Sequence, residues 1–240
     1  MSPLAPIIIV TGTGTGTGIG IGIGMGKTVT PAAIVVGLRA PGLRLVVVKP
    51  TQTGLLPGEP GDLHDICRLA GEVENHEFVR LPTRSHPMQP GAWRAWRYPP
   101  WRNTLRGWPR SQVATTSTSS SSREQEGCSR IDAEAATVAD LGRELTDVGA
   151  RVSYVVVAAA DLGTLNHIAL TAEALRSRGL DCLGFVIGSW PDDPNLAMRT
   201  NLQDLPSVTG AHLLGRIPAG TGQLGPVAFQ TSAAGWVAIA

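Results

Sequence analysis

The segment Gly26-Lys27-Thr28 is the one whose residue types are best suited to chemistry. It follows an apolar run and a glycine-rich tract, and it precedes a helical pattern. Backbone N–H groups at a helix start bind phosphate oxygens, a lysine reaches the β and γ phosphates, and a threonine hydroxyl binds Mg2+. The strict G-x-x-x-x-G-K-[ST] spacing would begin at Ile21, whereas a loop one residue longer would begin at Gly20. The pattern predicts a phosphate-binding loop; the alternative is a glycine-rich linker without a ligand.

A second candidate is Lys49, in the segment Lys49-Pro50-Thr51-Gln52-Thr53-Gly54, which ends the next apolar run. In doubly wound sheets the ligand crevice lies at the carboxyl ends of the strands. A lysine there can stabilise developing negative charge, and a threonine such as Thr53 can hydrogen-bond a substrate. The alternative for Lys49 is a solvated charge at a strand end.

The elements that position these residues alternate between strand-like and helix-like patterns. Continuous apolar runs predict buried strands at 7–10, 43–50, 152–161, 182–190 and 212–218. Helical patterns lie at 28–38, 62–69, 133–145 and 166–178, with Gly179 as the stop of the last. The alternation predicts a single α/β domain over 1–240, a P-loop NTPase-type, doubly wound, mostly parallel sheet with helices on both faces.

Residues 91–129 interrupt this pattern. Four tryptophans and five arginines fall between 93 and 110, a Ser/Thr-rich stretch covers 115–122, and no strand or helix period is visible. One interpretation is a basic, aromatic nucleic-acid-binding arm, and another is a flexible or disordered insertion. We favour a third, in which this stretch is translated out of frame. The C-terminal residues 221–240 likewise lack a clear helix pattern.

Composition limits the function classes. The formal net charge is +1, which gives no general attraction to nucleic acid or anionic membranes. The three cysteines are odd in number and widely spaced, which favours a reducing, cytoplasmic location over a disulfide framework. The apolar run at 7–10 is far shorter than the ~20 residues of a membrane-spanning helix.

Several segments, in this order, resemble the dethiobiotin synthetases, in particular the actinobacterial type. They are IIIVTG, GKT, KPTQTG, RLAG, TVADL, ADLGTLNH, VIGSWPDDP and GRIPAG. The resemblance covers about residues 5–90 and 130–220. It implies a Mg2+-dependent homodimer that uses ATP, CO2 or bicarbonate, and 7,8-diaminononanoate in biotin biosynthesis. The alternatives are another P-loop ATPase, such as a cobyrinate-type amidotransferase partner or a partition ATPase, and a non-catalytic nucleotide-binding protein.

The resemblance also implies roles for individual residues. Lys49 and Lys27 would be catalytic, Thr53 would contact the diamine or its carbamate, and Thr28 and Asp62 would be metal ligands. The implied nucleotide contacts are Gly24, Met25, Gly26, Lys27, Thr28, Asp62, Gly188, Pro218, Ala219 and Gly220.

The sequence departs from the family at 121–129. The family has a V-E-G-A-G-G segment there, whose glutamate is a third Mg2+ ligand, and this chain has SSREQEGCS. Glu124 or Glu126 would have to replace that glutamate. We therefore expect a missing central strand and impaired activity.

Overall fold

In the part of the chain that the structure describes, seven strands form a parallel sheet with helices on both faces. In a computed structural model the described residues are 7–13, 25–41, 43–82, 112–117, 138–147 and 149–239. The strands are β1 (Ile7–Gly12), β2 (Arg44–Thr53), β3 (Glu74–Leu81), β4 (Gln112–Ser117), β5 (Val152–Ala158), β6 (Asp181–Trp190) and β7 (Leu213–Pro218). Their order across the sheet is β3-β2-β4-β1-β5-β6-β7, and each neighbouring pair is parallel. All carboxyl ends of the strands therefore lie along one edge.

The helices divide into two groups. They are α1 (Val29–Leu38), α2 (Asp62–Ala70), α3 (Val138–Asp147), α4 (Thr164–Ser177), α5 (Leu196–Thr209) and α6 (Pro226–Ala233). Helices α1, α2 and α6 share one hydrophobic core, and α3, α4 and α5 share the other. The run Ile7-Ile8-Ile9-Val10 shows why such a strand is apolar throughout. Ile8 and Val10 face the first core, Ile7 and Ile9 face the second, and all four are buried.

The predicted fold class is confirmed. The five predicted strands and four predicted helices are present, and β2 continues three residues beyond the expected Pro50 to Thr53. Residues 133–137 of the helix predicted at 133–145 lie outside the described residues. Gly179 follows α4 with a φ of +68°, and its N–H donates to the carbonyl of Arg176, as a helix stop requires. Strand β3 and helix α5 were not anticipated.

The expectation of a missing central strand is wrong. Strand β4 lies inside the atypical stretch and occupies the place between β2 and β1, with Ala114 in register with both Ile7 and Val46. Its sequence, QVATTS, has no apolar run, but its Val and Thr residues are β-branched and suit a strand. The interpretations of the rest of that stretch, 91–111 and 118–129, lie outside the described residues.

The C-terminal segment also differs from expectation. Residues 226–233 form α6, which begins with a proline in its first turn, a position where the missing N–H costs nothing. Phe229 of this helix is buried and packs edge-on against Trp236. Within the described part of the chain, no helix is long and apolar enough to cross a membrane.

Candidate active site

The predicted phosphate loop ends at the start of α1, at the carboxyl edge of the sheet. Gly26 has a φ of +81°, and its carbonyl accepts hydrogen bonds from the N–H and the hydroxyl of Thr30, both at 2.8 Å. The hydroxyl of Thr28 makes no capping hydrogen bond to its own helix. The first N–H groups of a helix lack intrahelical partners. The start of α1 is therefore suited to an anion.

The loop packs tightly against β6. A Cβ on Gly26 would lie 1.9 Å from the carbonyl oxygen of Gly188, and a Cβ on Gly188 would lie 2.0 Å from that of Met25. The residue type at 188 is thus set by the close approach of two backbones. The hydroxyl of Thr13, just after β1, lies 3.8 Å from the sulfur of Met25. The residues on either side of 14–24 therefore meet, and Gly24 lies outside the described residues.

This packing gives a first prediction, tested by Gly26→Ala and Gly188→Ala. Both changes force backbone atoms apart, and we expect kcat/KM for ATP to fall about 100-fold, as when binding groups are displaced by about 1 Å. Gly149→Ala is the matched control, because Gly149 has a φ of +90° but open space around it. It should cost only the backbone strain, about 1–2 kcal/mol. If Gly26→Ala and Gly149→Ala lowered kcat/KM for ATP equally, the assignment of residues around Gly26 as a phosphate-binding loop would be contradicted.

Lys49, Asp62 and Thr28 form a contact cluster beside this loop. The side chain of Lys49 is 0% exposed, and its ammonium pairs with Oδ2 of Asp62. The hydroxyl of Thr28 donates to the other oxygen, Oδ1, at 3.1 Å. Helix α2 brings Asp62 to the end of β2, and α1 brings Thr28 to the same carboxylate. Residues that are far apart in the sequence thus meet at one point.

The electrostatics of Asp62 tie both lysines to this point. Burial by itself would raise the pKa of Asp62, but the Lys49 ammonium, the Thr28 hydroxyl and the charge of Lys27 together bring that pKa below its ordinary value. The carboxylate is therefore ionised at neutral pH. Lys49 and Lys27 thus both contribute to the lowered pKa of this one carboxylate.

The cluster fits a Mg2+ site of the kind found with nucleotides. Mg2+ prefers oxygen ligands and is usually held by one or two carboxylates together with substrate phosphates and waters. Thr28 and Asp62 supply a hydroxyl and a carboxylate 3.1 Å apart. Among the described residues no group of three His, Cys, Asp or Glu side chains able to hold a metal occurs. Glu124 and Glu126, which the family resemblance offers as a third ligand, lie outside the described residues.

The segment 218–224 after β7 runs back toward α1 and α2. The N–H of Ala219 donates to the carbonyl of Trp190 at 2.7 Å, and the hydroxyl of Thr221 donates to that of Pro218 at 2.9 Å. A Cβ on Gly222 would lie 3.4 Å from a methyl carbon of Val29, at the start of α1. Of the implied nucleotide contacts, Pro218, Ala219 and Gly220 thus lie on a segment that reaches the start of α1.

The remaining predicted residue, Thr53, ends β2 four residues after Lys49.

Sequence reasoning missed two residues that hold this region together. Gln52 contacts the start of α2, and Arg68 of α2 donates to the carbonyls of Gly222 and Leu224 at 2.8 and 3.2 Å. Gln52 lies in the noted KPTQTG segment, but nothing in the sequence marks Arg68 as a link to residues more than 150 positions away.

A parallel, doubly wound sheet with a GKT segment at the start of its first helix and a lysine–aspartate pair beside it defines a P-loop nucleotide-binding protein. A family model, AAA_26, described as an AAA domain, matches residues 134–222. The chain is 42% identical to an ATP-dependent dethiobiotin synthetase BioD of Rhodococcus jostii, over 88% of each chain. It is 41% identical to one of Streptomyces coelicolor, over 97% of this chain and 92% of that protein. The chain belongs to the family of ATP-dependent dethiobiotin synthetases.

Among solved structures, the septum site-determining protein MinD of Pyrococcus horikoshii matches with a TM-score of 0.49 and 17% identity. The match covers 95% of this chain and 90% of that one.

Proposed function

We propose that the chain is an ATP-dependent dethiobiotin synthetase of biotin biosynthesis, which joins 7,8-diaminononanoate and CO2 into a cyclic urea. The observation that carries the proposal is the contact of Lys49 and Thr28 with one carboxylate, Asp62, whose pKa is also lowered by Lys27. Family membership gives this site its substrates. The sequence match covers about nine-tenths of the two relatives described above, so the proposal concerns the whole catalytic unit.

In the proposed reaction one amine of the diamine loses a proton and captures CO2 as a carbamate. A carbamate oxygen attacks the γ-phosphorus of ATP, and ADP leaves. The second amine then attacks the carbamoyl carbon, loses a proton and expels phosphate, which closes the ring. Both phosphoryl transfer and ring closure pass through states rich in negative charge, which fixed positive groups stabilise.

The side chains take the following roles in this proposal. The loop Met25–Thr28, together with Gly24, binds the phosphates through backbone N–H groups, and Lys27 and Lys49 oppose the charge on the transferring phosphoryl group. Thr28 and Asp62 would hold Mg2+, which supplies further positive charge to the phosphates. Thr53 contacts the diamine or its carbamate.

The base of the nucleotide lies toward the segment after β7. Its contacts are proposed at Pro218, Ala219 and Gly220, whose backbone is held against Trp190 at the end of β6. Gly188 belongs to the same side, and the bare backbone at this position lets the phosphate loop pass.

The test is phosphate release from ATP with Mg2+, measured with and without the diamine and bicarbonate. We expect release only when both are present, with formation of dethiobiotin confirmed by mass spectrometry. Release that does not depend on the diamine would indicate another P-loop ATPase. Nucleotide binding without any release would indicate a non-catalytic nucleotide-binding protein.

We further propose a homodimer that works in the cytoplasm, as the family resemblance implies. The dimer is supported by three strongly exposed apolar side chains at helix starts on the carboxyl edge of the sheet, which are Leu162 before α4, Leu196 in α5 and Val227 in α6. Light scattering with size-exclusion chromatography should give twice the chain mass of 25.1 kDa. A single-chain mass at micromolar concentration would refute the dimer.

A further inference from the structure

The side chain of Gln52 connects β2 to α2 at the point where the active-site cluster forms. It is buried, with 4% of its surface exposed. Its Oε1 accepts a hydrogen bond from the N–H of Asp62 at 3.1 Å, and its Nε2 donates to the carbonyl of Thr53 at 3.3 Å. The amide group of Gln52 therefore contacts both Asp62, which pairs with Lys49, and Thr53, which is proposed to contact the substrate.

Helix α2 lacks the local feature that usually fixes a helix start. The residue before it is Gly61, which has no side chain to cap the first N–H groups. A Cβ at Gly61 would lie 2.8 Å from Oε1 of Gln52, closer than ordinary contact. The glycine thus leaves room for a cap that comes from the neighbouring strand.

The consequence concerns the direction of the Asp62 carboxylate. Its two oxygens contact different groups, Oδ1 the hydroxyl of Thr28 and Oδ2 the ammonium of Lys49. A carboxylate at the first position of a helix turns with the backbone of that first residue. A capping side chain at residue 61 would fix the Asp62 backbone only relative to α2 itself. Gln52 instead fixes the Asp62 backbone relative to β2, the strand that carries Lys49.

We propose that Gln52 is a positioning residue that sets the start of α2, so that Asp62 meets Thr28 and Lys49 together and is aimed at the metal of a bound nucleotide. The inference rests on the proposed role of Asp62 as a metal ligand. Gln52 itself touches neither the nucleotide nor the metal. It acts through the Asp62 backbone and links that carboxylate to the Thr53 end of the substrate site.

The experiment compares the dissociation constant of ADP with and without Mg2+, measured by calorimetry, in the wild type and in Gln52→Met. Methionine keeps the length of the side chain and removes both hydrogen bonds. We expect the Mg2+-dependent gain in ADP affinity to fall about 10-fold, as when a group that orients a metal ligand is lost. Affinity for ADP without Mg2+ should stay near that of the wild type.

A double variant separates positioning from capping. In Gln52→Ala with Gly61→Ser, the shortened side chain makes room for a serine that caps α2 locally. We expect its unfolding temperature to exceed that of Gln52→Ala alone, while the Mg2+-dependent gain stays low. If the double variant regained the wild-type Mg2+-dependent gain in ADP affinity, Gln52 would be only a helix cap, and the proposal would be overturned. An unchanged Mg2+-dependent gain in ADP affinity in Gln52→Met would overturn it as well.

Asn201→Leu is the matched control. Asn201 is a buried amide in α5 that donates to the carbonyls of Ala160 and Asp161, each at 3.2 Å. Its loss should lower stability without changing the Mg2+-dependent gain. These binding measurements need no turnover, so a wild type that binds Mg-ADP but shows no diamine-dependent phosphate release would refute the proposed function and leave the role of Gln52 to be judged separately.

Discussion

Replacing Lys49 by methionine should lower diamine-dependent turnover by about 10²–10³-fold, the scale on which loss of one group aimed at developing negative charge acts. The side chain of Lys49 is 0% exposed, and its ammonium pairs with the carboxylate of Asp62. ATP affinity should change much less than turnover, because Lys27 and the start of α1 remain. Steady-state kinetics that give kcat and KM separately measure both effects.

The same change has a cost in stability, because it leaves the Asp62 carboxylate without its main positive partner. Breaking a fully buried pair by removing one member costs about 3–5 kcal/mol. Asp62 keeps the Thr28 hydroxyl and is 22% exposed, so we expect the loss to be smaller than that. Urea unfolding of the wild type and of Lys49→Met at neutral pH gives the difference in the free energy of unfolding.

Arg44→Met is the control for Lys49→Met. Arg44 lies at the other end of the same strand and also pairs with a carboxylate, that of Glu74, but its side chain is 60% exposed. Surface pairs contribute about 0–1 kcal/mol, so this change should leave both turnover and stability nearly as they are. Full turnover in Lys49→Met, or an equal loss in Arg44→Met, would remove Lys49 from the proposed mechanism.

The elements that the sequence predicts well are those in which one physical signal is strong. The run Ile7–Val10 is apolar because a central parallel strand has a hydrophobic core on each face, and the structure assigns its residues alternately to the two cores. The order of apolar runs and helical periods was enough for the fold class. The lengths were less certain, as the extension of β2 to Thr53 shows.

Other elements depend on contacts that no local pattern records. Strand β4 has the sequence QVATTS, yet it pairs along its length with β1 and β2. A strand between two others gains backbone hydrogen bonds on both sides whatever its side chains, so an apolar run is not required for pairing. Helix α6 is mostly exposed and was missed, because Phe229 and Ala233, its buried residues, give a weak period.

The candidate site follows the same division. Gly26, Lys27, Thr28 and Lys49 were identifiable from residue type and place, since a phosphate loop and a strand end have recognisable sequences. The contact between Asp62 and Lys49 depends on the path of the chain between them, which Gln52 and Gly61 fix through a hydrogen bond and the space for it. Such long-range geometry is not contained in the spacing of residue types.

Asp62→Asn is expected to reduce turnover by at least about 100-fold, the upper end of what loss of a group that only orients a metal ligand costs. Asparagine can still accept from Thr28, but it is a weaker ligand for Mg2+ and leaves the buried ammonium of Lys49 without a carboxylate. Activity should not recover at high Mg2+ to the wild-type value. Turnover against Mg2+ concentration measures this, and Asp65→Asn, at a half-exposed position in α2, is the control.

The pH dependence of this variant tests the electrostatic argument separately from catalysis. The pKa of Asp62 is lower in the folded chain than in the unfolded one, where it is about 3.9. A lowered carboxyl pKa contributes stability that is fully present above the unfolded value and is lost as the pH falls through the folded value. The free energy of unfolding of the wild type should therefore exceed that of Asp62→Asn most at neutral pH. This difference in unfolding free energy should narrow below about pH 4. Urea unfolding at pH 7, 5, 4 and 3 measures the gap, and a gap that stays constant or widens on acidification would mean that Lys49, Thr28 and Lys27 do not stabilise an ionised Asp62.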